Sequence, residues 1–157
     1  MPISVASPDN RRRLTTALAP VVRAALAIEG RRPGEIAIVL TRDAELRVLN
    51  RRWRGIDRAT DVLSFPYACH GTRVDGDLVI SLDRLRAQAR RYRVTLGKEL
   101  ARLVVHGSLH LCGLDHHGVT ERAHMRRREA AALRACSARV PAIDRALGAI
   151  VEPGARV

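Results

Sequence analysis

The chain has 157 residues, of which 46% are apolar, and this suits one domain with one hydrophobic core. No run of roughly 18 uncharged apolar residues occurs, so neither a transmembrane helix nor a membrane partner is expected, and the polar start does not resemble a signal peptide. Three cysteines argue against a disulfide scaffold and favour a cytoplasmic protein, while the net charge of +12 favours a polyanionic partner.

The predicted elements alternate between strands and helices along the whole chain. Strands are expected where β-branched and apolar residues alternate, and helices where apolar residues recur at every third or fourth position. The predicted order is strand Ile3–Ala6, helix Arg11–Ile28, strand 35–41, helix 44–53, strand 62–65, strand 77–82, and helices 83–92, 95–112, 120–136 and 141–150. Residues 33–34 are assigned to the turn after the first helix and residues 67–76 to a loop.

The mixture of elements predicts a single domain over residues 1–157 with an α+β fold, in which one mixed β-sheet is covered by helices. The last stretch, residues 140–157, is expected to form a short helix followed by a loose tail. No internal repeat or low-complexity segment divides the chain.

Five of the six histidines fall between His106 and His124. His106 and His110 are four residues apart, which places both imidazoles on one face of a helix. Gly113 is suited to end that helix in a left-handed conformation, and the chain can then reverse and bring His116 to the same point. Three imidazoles with an open fourth position are typical of catalytic zinc, whereas a structural zinc site normally has four protein ligands.

The other residues of this region have ordinary explanations. His117 and His124 are expected to be solvated or to lie outside the metal ligands, and His70 to lie on the surface. Cys112 is interpreted as a small, buried apolar residue, and Cys69 and Cys136 as free thiols.

The same histidine spacing, with glycine at the eighth position, occurs in the metzincin proteases. Those enzymes carry a glutamate directly after the first histidine, and it acts as the general base. This chain has Gly107 at that position. The sequence therefore argues against peptide hydrolysis by the usual route.

Three segments together resemble the YbeY family of bacterial rRNA maturation factors. They are the run from His106 to His116, residues 50–66 (NRRWRGIDRATDVLSFP) and residues 76–81 (GDLVIS). This chain has Trp53 where the family usually has tyrosine, and Ala59 where it usually has proline.

The resemblance implies a zinc-dependent, single-strand-specific endoribonuclease in rRNA processing, acting in the maturation of the 3′ end of 16S rRNA and in ribosome assembly and quality control. It implies that His106, His110 and His116 hold one zinc ion on a zincin-like helix, and that an arginine matching Arg54 is functionally essential. The implied partners are single-stranded rRNA, the small ribosomal subunit and its assembly factors, with no DNA.

Arg54 has a physical role in such a reaction. Cleavage of a phosphodiester places additional negative charge on the phosphoryl oxygens, and a guanidinium binds two of these oxygens in a fork. The carboxylates are less specific: Asp61, Asp77 and Asp115 can orient an imidazole, but each is as well suited to a cap, a turn or an arginine partner.

Two further functions remain open at this level. In the first, the chain is a non-catalytic assembly factor with a structural zinc ion and a basic surface that docks on the ribosome. In the second, it is a zinc hydrolase that acts on another substrate such as a peptide, although Gly107 argues against this.

Overall fold

The structure is a computed structural model that describes residues 3–6, 11–67, 71–114 and 118–155. Over these residues it has an α+β fold with one four-stranded sheet, as the sequence predicts. The elements in chain order are β1 (Ile3–Ala6), α1 (Arg11–Ile28), β2 (Arg32–Thr41), α2 (Asp43–Arg54), β3 (Val62–Pro66), β4 (Arg73–Ser81), α3 (Leu82–Tyr92), α4 (Leu96–Leu111), α5 (Val119–Cys136), a 3₁₀ turn (Ser137–Arg139) and α6 (Val140–Ala155).

The sheet is mixed and has the strand order β1-β2-β4-β3. The first three strands in this order are parallel, and β3 pairs with β4 in the antiparallel direction. Because β3 is an edge strand, one side of its backbone faces away from the sheet. This edge becomes one wall of the candidate site.

The main core lies between one face of the sheet and α1, α4, α5 and α6. Leu78 and Ile80 of β4 point into it because alternate residues of a strand share a face. The opposite face is covered in part by α2, where Leu46 packs with Leu63 and Val79. The helix α4 therefore lies on one side of the sheet and α2 on the other, and both reach the edge strand.

The start of β2 differs from the prediction. The strand begins at Arg32 rather than at residue 35, and it contains Pro33 and Gly34, which the sequence assigns to a turn. The pairing with β4 shifts between Pro33 and Ile36, and such an irregularity accommodates a proline. A Cβ on Gly34 would clash with the side chains of Asp75 and Arg73, so a larger residue would require these side chains to move.

The loop predicted over residues 67–76 is wrong at its C-terminal end, because β4 begins at Arg73. Arg73 pairs with Arg32, and Gly76 pairs with both Ile36 and Pro66. Pairing with two neighbouring strands thus makes this polar stretch a strand. Residues 68–70 lie outside the described part of the chain.

The helix at the C-terminal end is longer than predicted. It runs from Val140 to Ala155 instead of ending at residue 150, and Ile143 and Leu147 are fully buried in the main core. The tail expected after residue 150 is therefore helical as far as Ala155. None of the helices in the described ranges has the length and apolar character needed to cross a bilayer.

Candidate active site

Two histidines face each other at the C-terminal end of α4. His106 Nε2 and His110 Nε2 are 3.1 Å apart, and the ring centroids are separated by 4.6 Å with an angle of 69° between the planes. One helical turn separates the two residues, so the helix itself sets this juxtaposition. The structure thus places together the two predicted ligands that belong to α4.

The spacing of these nitrogens fits a shared cation. Two ligands of a tetrahedral zinc ion, each about 2.0–2.1 Å from the metal, are separated by about 3.3 Å. The observed 3.1 Å between His106 Nε2 and His110 Nε2 is close to this value. The pair is therefore suited to hold zinc, with one nitrogen of each ring directed at the same point.

A carboxylate on α5 holds the first of these rings. Nδ1 of His106 makes a short hydrogen bond to Oε1 of Glu129. When Nδ1–H donates to the carboxylate, Nε2 of His106 keeps its lone pair for a metal, as carboxylate partners of histidine ligands commonly arrange. Sequence reasoning missed Glu129, because it lies 23 residues after His106.

A glycine in the left-handed conformation follows this helix, as predicted. Gly113 has a φ of +89°, and the amide of Leu114 donates to the carbonyl of Leu109 at 3.2 Å. This bond closes a C-terminal motif that ends the helix at a left-handed glycine. Asp115, His116 and His117 lie outside the described residues, so His116 as the third ligand stays a prediction.

Gly107 is packed directly against the sheet. A Cβ at this position would lie 2.9 Å from Cδ2 of Leu78 and 3.2 Å from Cγ2 of Val62. The hydroxyl of Ser64 also donates to the Gly107 carbonyl at 3.0 Å. A glutamate at residue 107, as in the proteases, would have no room here without moving α4 away from the sheet.

Arg54 and the histidine pair line the same cleft. This cleft has a volume of about 900 Å³ and is bounded by α2, the loop after it, β3 and α4. Nη2 of Arg54 donates to the Ser64 carbonyl at 3.4 Å, so the last turn of α2 contacts the edge strand. The structure therefore brings Arg54, His106 and His110 to one cleft.

The loop of residues 55–60 is fixed to α2 on the rim of the cleft. The side-chain amide of Asn50, which is buried, donates to the Arg58 carbonyl at 2.9 Å. Arg47 and Asp57 form a two-bonded ion pair, which lowers the pKa of Asp57 and raises the pKa of Arg47. These contacts hold the loop in place beside Arg54.

The cleft carries an excess of positive charge. Six of its lining residues are charged besides the histidines: Arg47, Arg54, Arg58, Arg84, Asp57 and Asp61. Arg47 pairs with Asp57, and Arg84 pairs with Asp43 at 3.2 Å. Arg54 and Arg58 form no ion pair with any carboxylate among the described residues, so their guanidinium groups can bind an anionic substrate.

An ion pair between Arg102 and a buried carboxylate lies within the two turns of α4 that precede His106. Glu99, only 2% exposed, accepts hydrogen bonds from Arg102 and from Nε2 of Gln88. The bond to Glu99 raises the pKa of Arg102, with Asp61 and Glu129 adding to the effect and burial opposing it. The charged form of Arg102 is therefore favoured by Glu99 and, to a smaller extent, by the carboxylate that holds His106.

The other predicted residues have different surroundings. Asp61 reaches the cleft but accepts from the amide of Val62 and lies 4.0 Å from Arg102. Asp77 bonds to the hydroxyl of Tyr67 and raises the pKa of that phenol. Within the described part of the chain neither forms a hydrogen bond to His106 or His110, whereas Glu129 forms one to His106. Nε2 of His124 accepts from Arg128 at 3.4 Å, and His124 is not among the residues that line the cleft.

Together, the α+β fold and a basic cleft with paired imidazoles define a small hydrolase of anionic substrates. The family model described as Endoribonuclease YbeY matches residues 5–137 of the chain. The chain therefore belongs to the YbeY family of endoribonucleases. This confirms the resemblance seen in the sequence and the assignment to the hydrolases that act on RNA.

Individual relatives agree with the family model. The chain is 38% identical over 129 residues to Endoribonuclease YbeY of Phocaeicola vulgatus, and the match covers 82% of this chain and 91% of that protein. It is 40% identical to the protein of the same name from Bacteroides thetaiotaomicron, with the same coverage. It is 47% identical over 126 residues to the Anaeromyxobacter protein of that name, covering 79% of this chain and 64% of the relative.

A solved structure shows the same fold. The solution structure of a Thermotoga maritima protein superimposes with a TM-score of 0.55 over 98% of this chain and 99% of its own, at 24% sequence identity. This similarity supports the arrangement of the sheet and helices.

Proposed function

We propose that this protein is a zinc-dependent endoribonuclease that cleaves single-stranded rRNA during maturation of the small ribosomal subunit. The observation that carries the proposal is the convergence of His106 Nε2 and His110 Nε2 in a cleft that also contains Arg54. In this proposal the protein is cytoplasmic and binds one zinc ion. His116 supplies the third metal ligand.

The residues of the cleft divide the chemistry between them. A zinc ion held by His106, His110 and His116 would supply a water of lowered pKa and a positive charge that polarises the phosphoryl group. Glu129 keeps the His106 ring oriented through Nδ1. Arg54 binds the non-bridging oxygens of the scissile phosphate and stabilises the charge that grows on them in the transition state.

The cleft also explains why RNA is favoured over a peptide. Gly107 replaces the glutamate that serves as general base in the proteases, and its contacts with Leu78 and Val62 leave no space for one. In addition, Arg54 and Arg58 present positive charge to the substrate. An anionic backbone therefore matches this cleft better than a neutral one.

The test separates metal binding from phosphate binding. His110→Ala is expected to lose bound zinc and RNA cleavage together, with His124→Ala as the matched control that keeps both. Arg54→Ala is expected to retain zinc and to lower kcat/KM by about 10²–10³, which corresponds to roughly 2.7–4 kcal/mol for one transition-state donor. Arg51→Ala, an exposed arginine on the same helix, is its control.

Metal content is measured by mass spectrometry, and cleavage is measured on single-stranded and duplex RNA of the same sequence. Zinc-free His110→Ala protein with full activity would refute the zinc chemistry. Zinc-loaded wild-type protein that leaves every RNA intact but restores normal rRNA ends in a deletion strain would instead identify a non-catalytic assembly factor.

A further inference from the structure

A second groove, built from other elements than the cleft, lies between the start of α1 and the C-terminal part of the chain. It has a volume of about 460 Å³ and is lined by residues of α1, the 3₁₀ turn and α6. Four of the lining residues are the exposed arginines Arg12, Arg13, Arg139 and Arg145. None of these residues lines the catalytic cleft.

These arginines have no ion-pair partner among the described residues. Some other surface guanidinium groups are paired with carboxylates, for example Arg47 with Asp57 and Arg42 with Asp83. The arginine side chains of the groove also form no hydrogen bond within the described part of the chain. Four like charges around one concavity repel one another, and a polyanion that neutralises them relieves this repulsion.

The floor of the groove is made of small residues. Ala17, Ala142 and Ala146 lie between the charged side chains, and Thr16 and Pro20 complete the α1 side. Small side chains allow a bound chain to approach the helices closely, while the long arginine side chains reach its phosphates from both sides. Arginine is suited to this role because its planar group binds two phosphate oxygens at once.

We propose that this groove binds the phosphate backbone of RNA at a site distinct from the catalytic cleft. The proposal rests on the proposed function in one respect, namely that RNA is the polyanion. It extends beyond the matched family region, because Arg139 and Arg145 follow residue 137, the last residue that the family model covers. The groove would anchor a flanking part of the substrate while another part occupies the cleft.

The expected effect follows from counterion release. Each phosphate contact with a single strand contributes about 0.7 to the slope of log K against log salt concentration. The double variant Arg12→Gln/Arg145→Gln removes two contacts and should lower the slope by about 1.4. When the two proteins are referred to equal binding at about 1 M salt, this slope change corresponds to about 25-fold weaker binding of the variant at 0.1 M salt.

The matched control is Arg23→Gln/Arg90→Gln. Arg23 is an exposed residue of α1 and Arg90 an exposed residue of α3, and neither lines the groove. Both double variants lower the formal net charge of +12 by two, so they change the overall charge of the protein equally. A site at the groove predicts a large effect for the first variant and little effect for the control.

Binding is measured by fluorescence anisotropy of a labelled single-stranded RNA in EDTA, over a range of salt concentrations. Thermal unfolding measures whether each variant is folded. If the double variant does not fold, the single variants Arg12→Gln and Arg145→Gln provide the test, each with an expected slope change of about 0.7. An equal loss in the groove variant and the control would refute the proposal. An unchanged slope in the groove variant would refute it too and would favour an acidic protein segment as the ligand.

This experiment is independent of cleavage. Because EDTA removes the metal, anisotropy reports RNA binding whether or not the protein is a nuclease. If the groove variant loses binding but the zinc-loaded wild-type protein does not cleave RNA, the proposed function fails while the groove remains. If cleavage is present and the groove variant binds RNA normally, only the groove proposal fails.

Discussion

Replacing Gly107 by alanine tests whether α4 rests directly on the sheet at the position where zinc proteases carry their glutamate. The new Cβ would lie 2.9 Å from Cδ2 of Leu78, 3.2 Å from Cγ2 of Val62 and 3.3 Å from Oγ of Ser64. All three neighbours belong to the sheet, and Leu78 is fully buried. The strain can therefore be relieved only by moving the helix or repacking the core.

The magnitude combines opposing effects. Overpacking of a well-packed core by one methyl group typically costs about 1–3 kcal/mol. Weakening the hydrogen bond from Ser64 to the Gly107 carbonyl adds about 1 kcal/mol. Alanine in place of glycine within a helix returns about 1 kcal/mol. We expect Gly107→Ala to lower the free energy of unfolding by about 2 kcal/mol.

Gly148→Ala is the matched control, because Gly148 lies within α6 and a Cβ there would meet nothing within 4 Å. The same substitution should raise the stability by up to about 1 kcal/mol at this position. Both variants are compared with the wild type by urea denaturation. If Gly107→Ala is as stable as Gly148→Ala, α4 does not pack as closely on the sheet as described. The steric explanation for the absence of a protease-like glutamate at residue 107 is then refuted as well.

Two further predictions concern carboxylates. Glu129→Gln should weaken zinc affinity by about 10–100-fold, because it removes the charge that orients His106, whereas Glu121→Gln on the same helix should leave it unchanged. Chelator competition measures both, and equal affinities would contradict the orienting role. A hydrogen bond from the Asp43 amide lowers the pKa of the Asp83 carboxyl in the folded protein. The ionised carboxylate therefore stabilises the fold at pH values above the ordinary pKa of aspartate. This contribution is lost as the pH falls through the pKa of Asp83 in the folded state. Asp83→Asn should be less stable than wild type at pH 7, and the difference should shrink on acidification in urea titrations; a constant difference would refute the linkage.

The helices are predicted well because their signals are local. Apolar spacing gives α1 with its observed ends, and it gives α4 to within one residue at each end. The beginnings of β2 and β4 are missed because they depend on pairing between distant segments. Arg32 and Arg73 are neither apolar nor β-branched, and each becomes part of a strand because it pairs with the other.

The same distinction applies to the site. The relation of His106 to His110 follows from four residues of helix and is visible in the sequence. For Arg54 the prediction comes from the resemblance to the family. In the structure Arg54 lines the cleft and contacts Ser64. Glu129 has no local signal, because it belongs to a helix with an almost even mixture of polar and apolar residues around its axis. Its role becomes visible only when α4 and α5 are packed side by side.

Ser64 connects the two sides of the cleft. Its carbonyl accepts from Arg54 on α2, and its hydroxyl donates to Gly107 on α4, one residue after the first histidine. The edge strand is therefore held by a helix on each face at a single residue. Because both contacts use atoms of Ser64, a shift of β3 would move the guanidinium relative to His106. The proposed catalytic geometry thus depends on the register of β3 with β4, which pairs Ser64 with Leu78.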